Sequence, residues 1–395
     1  MSRLTSDIPG KQRLRVGMVG GGQGAYFASF HRAAMRLSNR FEIVAGVFSS
    51  SPAKSREAGL ALGVDADRIY PSVAAMAAAE PGRADRIDAA VIVTPNHLHY
   101  EACRSFLEAG IPVICDKPLV HRVEEAEALL CIAERRNTFL ALTYTYLGYP
   151  MVRDARSRIL AGELGEIRFL YVEYLLEWLA PGVADLSDSL AWRGDPAKAG
   201  PTGVVGDIGT HAFNLLEFLS GQRCTQLSAK LSTRVPGWRL DDNCVAQLEF
   251  DGGAEGLLWA SFAAPGHRNG LRFKVVGSQA SLEWSQESPE TLRFAPTDGA
   301  ERIYRRGQRD NAANTLEITS LPAGCSEGYL EALAVLYADF ADALSAGSEW
   351  RSTTAAPLPD IHEGLRGVEL SRVCLQSSQT RSWVAFPRPR PRPED

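Results

Sequence analysis

A glycine-rich loop near the amino terminus is the segment whose residue types most directly indicate chemistry. The run Gly20-Gly21-Gly22-Gln23-Gly24-Ala25 follows a short apolar stretch and fits the pattern G-x-G-x-x-G/A through Gly20, Gly22 and Ala25. In that pattern the first position makes a tight turn, the second brings backbone against a pyrophosphate, and the small third residue lets a helix pack on its strand. Free N–H groups at the helix start would face the phosphates. We therefore predict a dinucleotide site that includes Gln23 and Gly24.

Three serines stand where a dinucleotide-binding chain often carries an acidic residue. Enzymes that use NAD usually place Asp or Glu at the end of the second strand, where it binds the ribose hydroxyls. This chain has Ser49-Ser50-Ser51 there, followed by Lys54 and Arg56. Hydroxyls with a cation could bind the 2′-phosphate of NADP, and the serines could equally bind an NAD ribose. Ser49, Ser50 and Lys54 are thus predicted cofactor contacts, with NAD(H) and NADP(H) both open.

Asp207 and His211 are a second pair with chemical potential. They lie four residues apart at the start of an apolar stretch that predicts a helix, so both side chains can face one point. Histidine carries protons near neutral pH, and a carboxylate can orient the imidazole or hold substrate hydroxyls. Two structural roles compete with this interpretation: Asp207 could only cap the helix, and His211 could be a core histidine.

The elements that must position these residues change in kind near residue 150. Before it, strand and helix patterns alternate, which implies right-handed βαβ units and a parallel sheet. The predicted strands cover residues 15–19, 43–48, 89–93, 112–115 and 139–143. The predicted helices cover residues 26–37, 53–62, 73–79, 101–109 and 124–136.

After Pro150 the strand patterns follow one another with few helices between them, so they must pair largely antiparallel in an open sheet. The predicted strands cover residues 166–176, 226–233, 243–250, 256–263, 272–276 and 280–284, and the helices 151–161, 209–219, 328–344 and 361–376. We predict an α/β Rossmann domain over residues 1–147 and an α+β domain over residues 148–386. Residues 387–395 alternate proline and arginine and are expected to form a flexible tail.

Bulk properties exclude several classes. A chain of 395 residues with 45% hydrophobic and 23% charged residues is typical of a globular protein with two domains. A net charge of -5 argues against a nucleic-acid partner, and no apolar run is long enough to cross a membrane. No secretory signal is evident, and seven cysteines without a CxxC or a His/Cys cluster indicate neither a disulfide framework nor a metal site. A reducing cytoplasm is the expected location.

Three further motifs, in order and spacing with the glycine loop, establish a resemblance. They are Thr94-Pro95-Asn96-His97-Leu98-His99, Cys115-Asp116-Lys117-Pro118-Leu119 and Gly206-Asp207-Ile208-Gly209-Thr210-His211. Together they resemble the Gfo/Idh/MocA family of NAD(P)-dependent sugar and polyol oxidoreductases, over about residues 13–384. The resemblance implies a Rossmann domain followed by an α+β domain whose open sheet often mediates dimers or tetramers.

The resemblance also implies roles for individual residues. Lys117, Asp207 and His211 would be catalytic, and Asp116 would approach the nicotinamide ribose. The remaining implied cofactor contacts are Thr94, Pro95, Asn96, His99, Trp192 and Arg193. The chain departs from the family's usual residues at two positions, where Thr145 replaces an asparagine and Asn214 replaces an aspartate. Both positions lie near the family's sugar pocket, so the identity of the substrate stays open.

The substrate pocket is expected to draw on the crossover after residue 143 and on the second domain. Candidate substrate contacts besides Lys117, Asp207 and His211 are Tyr144, Tyr146, Tyr149, Arg153 and Asn214. The aromatic residues could instead be core, and Arg153 could be solvated rather than bound to an anionic substituent.

The expected reaction is removal of hydride and proton from a secondary alcohol of a sugar, glycoside or cyclic polyol. The cofactor takes the hydride, and the protein supplies an acid-base group, for which a partly buried lysine with a lowered pKa is suited. An NAD-dependent glycosidase, which oxidises C3 transiently, eliminates, hydrates and re-reduces, is the alternative. A non-catalytic NAD(P) sensor is a third, disfavoured by Lys117, Asp207 and His211.

Overall fold

A computed structural model describes residues 13–186, 190, 192–347 and 357–389 of the chain. These form two compact units: a first unit of Met1–Thr145 with Tyr329–Leu365, and a second unit of Tyr146–Gly328 with Arg366–Asp395. Most of the expected tail, residues 390–395, lies outside the described residues. The sequence predicts residues 329–365 in the second domain, whereas the described residues of that range, 329–347 and 357–365, group with the first unit.

The first unit contains a five-stranded parallel sheet in the order β2-β1-β3-β4-β5. Its strands are β1 (Leu14–Val19), β2 (Phe41–Val47), β3 (Ala89–Ile92), β4 (Val113–Cys115) and β5 (Leu140–Leu142). Its helices before the crossover are α1 (Tyr26–Ser38), α2 (Pro52–Ala61), α3 (Val73–Ala79), α4 (His99–Glu108) and α5 (Val123–Arg136). The strand order reverses between β1 and β3, and ligands of such sheets bind at this switch point, beyond the carboxyl ends of the strands.

A helix from late in the chain completes the first unit. Labelled α10 below, it spans Tyr329–Ala346 and packs along α1. Tyr337, which is fully buried, lies against the rings of His31 and Phe41. This contact explains why the segment groups with the first unit, although it follows all the strands of the second.

The second unit is built on a nine-stranded sheet in the order β13-β12-β11-β10-β6-β9-β8-β7-β14. The first five of its strands in the chain are β6 (Ile167–Leu175), β7 (Cys224–Ser232), β8 (Asn243–Phe250), β9 (Glu255–Ser261) and β10 (Gly270–Gly277). The others are β11 (Ala280–Ser285), β12 (Thr291–Pro296), β13 (Arg302–Arg305) and β14 (Val384–Ala385). Neighbours are antiparallel except β6 and β9, which are parallel. The predicted fold class, a Rossmann domain followed by a mostly antiparallel open sheet, is confirmed.

The helices of the second unit are α6 (Pro150–Leu160), α7 (Pro196–Ala199), α8 (Thr210–Ser220) and α9 (Ala313–Ile318), and α11 (Ile361–Thr380) starts in the first unit and continues in the second. A π-helical turn, Val205–Gly209, leads directly into α8, whose eleven residues are all buried. Five elements were not predicted from the sequence because they are short and carry little periodic signal: α7, α9, β12, β13 and β14.

The two faces of the large sheet differ. Leu170, Val172 and Leu258 point to the buried face. On the other face, apolar side chains of adjacent strands remain exposed: Phe169, Val245, Leu257 and Trp259. Val245 and Trp259 are direct cross-strand partners, and the four side chains share one face of the sheet with Glu173, Gln247 and Glu255. We call these four residues the apolar strip.

Within the described ranges, no helix combines the length and the apolarity needed to cross a membrane. The seven cysteines are free thiols, five of them buried. The cytoplasmic location expected from cysteine usage stays a prediction.

Candidate active site

The glycine loop opens onto a cleft of about 1390 Å³ within the first unit. Segments that follow β1, β2 and β3 line it, together with the start of α1 and parts of α2, α3 and α4. The predicted cofactor contacts that line this cleft are Gly20, Gly22, Gln23, Gly24, Ala25, Ser49, Ser50, Lys54, Thr94 and Pro95. The cleft therefore lies at the switch point of the parallel sheet, where a dinucleotide is expected.

Backbone packing explains the glycines of this loop. A Cβ atom on Gly20 would lie 2.8 Å from the Val93 carbonyl oxygen, and one on Gly22 would lie 2.5 Å from the Phe48 carbonyl oxygen. Gly24 has a φ of +83° and open space around its Cα, so the cleft side of the loop is free for a ligand. Gly22 is thus required by the approach of β2 as well as by the predicted pyrophosphate.

The start of α1 fits an anionic ligand. Ala25 caps the helix without a side-chain hydrogen bond, and the first turn holds no acidic residue. Uncapped N–H groups and the positive end of the helix dipole therefore remain available at the cleft. A dinucleotide pyrophosphate matches this cradle.

The cleft is also lined by charged groups that were not predicted from the sequence. Ser49 Oγ accepts a hydrogen bond from the Ser51 N–H at 3.2 Å. Glu57, one turn after Lys54 on α2, also lines the cleft, and so does Arg32, whose Nη1 donates to the Gly21 carbonyl at 2.9 Å. In the sequence, the only sign that Glu57 lines the cleft is its place one helical turn after Lys54. For Arg32, the only sign is its place on the helix that follows the glycine loop.

His99 holds two loops together rather than facing this cleft. Its ring is 1% exposed, and its two nitrogens lie 2.8 Å from the carbonyl oxygens of Thr94 and Pro118. It therefore connects the segment after β3 to the segment after β4. The described residues that line the cleft do not include His99. They also do not include Asn96, which begins a 3₁₀ turn.

Asp116 and Lys117 directly follow β4, at the same sheet edge as the glycine loop. Asp116 Oδ1 accepts hydrogen bonds from the Lys117 N–H at 2.9 Å and from the Thr143 hydroxyl at 2.7 Å. Burial alone would raise the pKa of Asp116, but His31, Lys117 and the Thr143 hydroxyl together hold it below its usual value. The carboxylate is thus kept ionised beside Lys117. The described residues that line the cleft do not include Asp116 or Lys117.

In the second unit, the π-helical turn carries Asp207, and α8 carries His211 one turn later. Arg193 Nε lies 3.3 Å from Asp207 Oδ2. The His211 ring is 6% exposed and meets the ring of Tyr146 edge to face at 5.0 Å, with Tyr174 at 6.3 Å. We call Asp207, Arg193, His211, Tyr146 and Tyr174 the His211 cluster.

Hydrogen bonds from residues next to β10 and β11 hold the tyrosines around His211. The hydroxyls of Tyr146 and Tyr174 are hydrogen-bonded to each other, and Tyr174 Oη donates to Asn269 Oδ1 at 2.8 Å. Tyr149 stacks on Tyr146, and its hydroxyl accepts from Gln286 Nε2 at 3.2 Å. Three residues of this network were not predicted as site residues from the sequence: Tyr174, Asn269 and Gln286. They lie on β6, before β10 and after β11, and the pairing of these three strands brings them together.

A buried aspartate fixes the turn on which Asp207 sits. Asp241 accepts hydrogen bonds from the Gly203 N–H at 2.6 Å and from the Val205 N–H at 3.1 Å. Burial raises the pKa of Asp241, and these backbone hydrogen bonds oppose the increase. The side chain therefore anchors the start of the π-helical turn.

The remaining candidate substrate contacts lie in or beside the core. Arg153 is buried, and its Nε donates to the Leu147 carbonyl at 2.8 Å, so this group is directed at backbone. Asn214 and Tyr144 are also buried. The Arg193 guanidinium lies 4.8 Å from the Trp192 ring centre, and Trp238 packs so closely on Gly194 that a Cβ there would be 2.7 Å from its ring.

Comparison with known proteins agrees with this architecture. Residues 14–144 match the family described as "Oxidoreductase family, NAD-binding Rossmann fold", and residues 152–283 match the GFO/IDH/MocA C-terminal domain. An uncharacterized oxidoreductase of Bacillus subtilis, YfiI, is 34% identical over 94% of this chain and 97% of its own.

Two relatives have stated ligands or activities. The crystal structure of an inositol dehydrogenase homolog from Azotobacter vinelandii, complexed with NADH and myo-inositol, is 35% identical, with a TM-score of 0.87 over 98% of this chain and 99% of that one. A levoglucosan dehydrogenase of Pseudarthrobacter phenanthrenivorans is 28% identical over 75% of this chain and 79% of its own. With an NAD-binding Rossmann fold, the matching second domain and these relatives, the chain belongs to the GFO/IDH/MocA family of oxidoreductases.

Proposed function

We propose that this protein oxidises a secondary alcohol of a cyclic polyol or sugar, with Lys117 as the acid-base group at the alcohol oxygen. Bound NAD would supply the hydride acceptor. Asp207 and His211 would bind and orient the substrate hydroxyls and share in proton transfer. The resemblance in the motifs around all three residues supports these roles.

The observation that carries the proposal is the His211 cluster. A buried imidazole lies against two tyrosine rings. A carboxylate whose side chain is 25% exposed lies one helical turn earlier, on the π-helical turn that leads into α8. Aromatic faces and hydroxyls suit the apolar and polar faces of a sugar ring. A histidine beside a carboxylate supplies proton exchange near neutral pH.

The charge of the predicted substrate contacts favours an uncharged substrate. Arg153, the cation selected from sequence for an anionic substituent, donates to a backbone carbonyl inside the core. Arg193 is paired with Asp207, so its charge is balanced. A neutral polyol or sugar fits these groups better than a sugar phosphate.

For the cofactor, we propose NAD over NADP. The Glu57 carboxylate lines the same cleft as Ser49, Ser50 and Lys54, and it would repel the 2′-phosphate of NADP. Calorimetric titration of the cofactor-free protein should give a lower Kd for NAD than for NADP. Glu57→Gln should reduce the difference between the Kd values for NAD and NADP. Lys54→Gln is the matched control, because it removes a cation rather than a carboxylate.

A substrate screen tests the reaction itself. Myo-inositol, scyllo-inositol, levoglucosan and simple hexoses are incubated with NAD or NADP, and formation of the reduced nicotinamide is followed by absorbance. One equivalent of reduced cofactor per substrate oxidised is the expected result. Release of aglycone from a glycoside without net reduction, in a protein that needs bound NAD, would instead favour the glycosidase alternative.

We further propose that two copies pair through the apolar strip of the large sheet. Phe169 is 52% exposed there, beside Val245, Leu257 and Trp259, and exposed apolar patches of this kind mark contacts between proteins. Light scattering should show a dimer or tetramer that Trp259→Glu converts to smaller species. Ile303→Glu, on the edge strand β13 of the same sheet, is the control and should leave the assembly unchanged.

A further inference from the structure

We propose that His31 and Tyr337 are positioning residues for Lys117, acting through Asp116. The Tyr337 hydroxyl lies next to the His31 ring, and the His31 ring lies next to the Asp116 carboxylate, which accepts a hydrogen bond from the Lys117 N–H. We call this series of contacts, from Tyr337 through His31 to Asp116, the line. The inference rests on the proposed function of Lys117 as the acid-base group, and it adds two residues that none of the sequence motifs contains.

The geometry is continuous within the first unit. The Tyr337 hydroxyl on α10 lies 2.9 Å from His31 Nδ1 on α1. His31 Nε2 lies 3.8 Å from Asp116 Oδ1, a charge-to-dipole contact slightly beyond hydrogen-bond distance. The same Oδ1 accepts from the Lys117 N–H and from the Thr143 hydroxyl. The line therefore runs from α10 through α1 to the residue that follows β4.

The chemistry of the three groups sets the direction of their hydrogens. Burial lowers the pKa of His31 although Asp116 opposes this, so the imidazole is neutral near pH 7 and carries one N–H. A carboxylate offers only acceptor atoms, which favours placing that N–H on Nε2. Nδ1 then accepts from the Tyr337 hydroxyl, which keeps its proton because burial raises the pKa of Tyr337.

Other charged and titratable groups act on Tyr337, His31 or Asp116, and they lie on α1, α4 and β4 or directly after β4. Those acting on His31 or Asp116 are Arg32 on α1, Lys117 after β4 and His99 on α4, and Cys115 of β4 acts on Tyr337. Removing the Nε2–H or the Tyr337 hydroxyl leaves these groups in place. The His31 ring would then be missing beside Asp116 Oδ1, or would lose the partner of its Nδ1.

A consequence follows for the pH dependence of the reaction. When Asp116 takes up a proton at low pH, Lys117 loses its neighbouring negative charge, and activity falls on the acid side. At low pH, where the His31 ring becomes protonated, its charge helps to lower the pKa of Asp116, so loss of His31 should move that acid limb to higher pH.

The first test needs no substrate. Protein labelled with ¹⁵N at histidine is studied by NMR without cofactor, and the His31 signal is assigned by its absence in His31→Gln. We expect a neutral ring at pH 7 with its proton on Nε2, and a greater Nδ1–H population in Tyr337→Phe. An imidazolium at pH 7, or the Nδ1–H form in the unmodified protein, would overturn the inference.

The second test compares pH–rate profiles of kcat with the substrate found by the screen. His31→Leu and Tyr337→Phe should lower kcat at neutral pH about tenfold with KM little changed, and His31→Leu should also move the acid limb to higher pH. His31→Gln keeps a donor at the Nε2 position and should restore most of kcat. Tyr70→Phe is the matched control, because its hydroxyl donates to a different carboxylate of the first unit, Glu80, at 2.8 Å.

The outcomes separate this inference from the proposed function. If Lys117→Ala abolishes turnover while Tyr337→Phe behaves like Tyr70→Phe, the positioning role of the line is wrong and the role of Lys117 stands. If Lys117→Ala turns over normally, the role of Lys117 is wrong and the line has nothing to position. Tyr337→Phe keeps the ring packed against Phe41 and Phe340 and should therefore fold.

Discussion

In the first unit, the glycine loop contacts its surroundings through backbone atoms, whereas in the second unit the residues around His211 contact one another through side chains. A Cβ at Gly20 or Gly22 would meet carbonyl oxygens that follow β3 and β2. His211 instead lies against tyrosine rings whose hydroxyls bond to each other and to Asn269. Backbone geometry recognises the constant part of a cofactor, and side-chain networks can vary with a substrate.

The comparison implies different responses to substitution. Changes in the glycine loop should disturb cofactor binding and folding together, because one set of backbone contacts serves both. Changes in the His211 cluster should disturb turnover or substrate affinity with little effect on cofactor binding. The predictions below test this separation, from the largest expected effect to the smallest.

Lys117→Ala should have the largest effect. We expect kcat to fall by roughly 10²–10⁴-fold, the range for a positioned acid-base group. NAD affinity by calorimetry should change little, because the cradle Gly20–Ala25 is untouched. Lys117→Arg should not restore turnover, since a guanidinium does not release its proton near neutral pH. Turnover of the alanine variant within about threefold of the unmodified protein would exclude Lys117 as the acid-base group.

His211→Asn should lower kcat by about 10²-fold or more while leaving NAD affinity unchanged. The asparagine keeps polarity but cannot exchange a proton near pH 7. Ser220→Ala, at the end of α8, is the control for helix packing, because it removes a buried hydroxyl that donates to the Leu216 carbonyl, and it should reduce kcat far less. Equal losses in both variants would indicate that His211 serves the core of α8 and not the reaction.

Gly22→Ala should weaken NAD binding and lower Tm at the same time. The added Cβ would lie 2.5 Å from the Phe48 carbonyl oxygen, and overpacking of this kind destabilises by about 1–3 kcal/mol. The Cβ of Gly24→Ala would meet no atom within 4 Å. This variant should lower Tm only because alanine is strained at a φ of +83°, which costs about 1–2 kcal/mol of folding stability. Loss of affinity without loss of Tm in Gly22→Ala would contradict the shared backbone role.

Acid should destabilise the first unit in two separate pH windows. The folded pKa of His31 lies below its usual 6.5, so the unfolded chain takes up this proton first, and stability present above pH 6.5 is lost as the pH falls below it. The lowered pKa of Asp116 acts likewise, below 3.8. Thermal unfolding against pH should show the first window, and His31→Gln should flatten it. A Tm of the unmodified protein that rises between about pH 6.5 and 5 would contradict this sign.

Tyr174→Phe should have the smallest effect. It removes one hydroxyl that donates to Asn269 and bonds to Tyr146, a loss of about 0.5–1.5 kcal/mol for a typical hydrogen bond. Because Tyr146 would be less well held, we expect KM for the polyol to rise a few-fold with kcat nearly constant. Tyr171→Phe, three residues earlier on β6 and bonded to Glu173, is the control. An equal change in both variants would place Tyr174 outside the substrate site.

Much of the first unit could be predicted because its signals are local. Each parallel strand is a short apolar run closed by a helix pattern, and the observed β1–β5 and α1–α5 lie within two residues of the predicted bounds. The glycine loop needs particular residues at particular positions, so its position could be predicted from the sequence. His99 was readable as part of a motif, but its bonds to the Thr94 and Pro118 carbonyls were not.

By itself, the amino-acid sequence determined the two fold classes, the order of the elements and the motifs that assign the chain to its family. Only the tertiary structure decided that Tyr329–Ala346 packs on α1, that Tyr337 reaches His31, and that Asn269 holds Tyr174. The physical reason is range. Periodicity and turn chemistry act over a few residues, whereas these contacts join residues 306 and 95 positions apart, and nothing in the local pattern marks one distant partner over another.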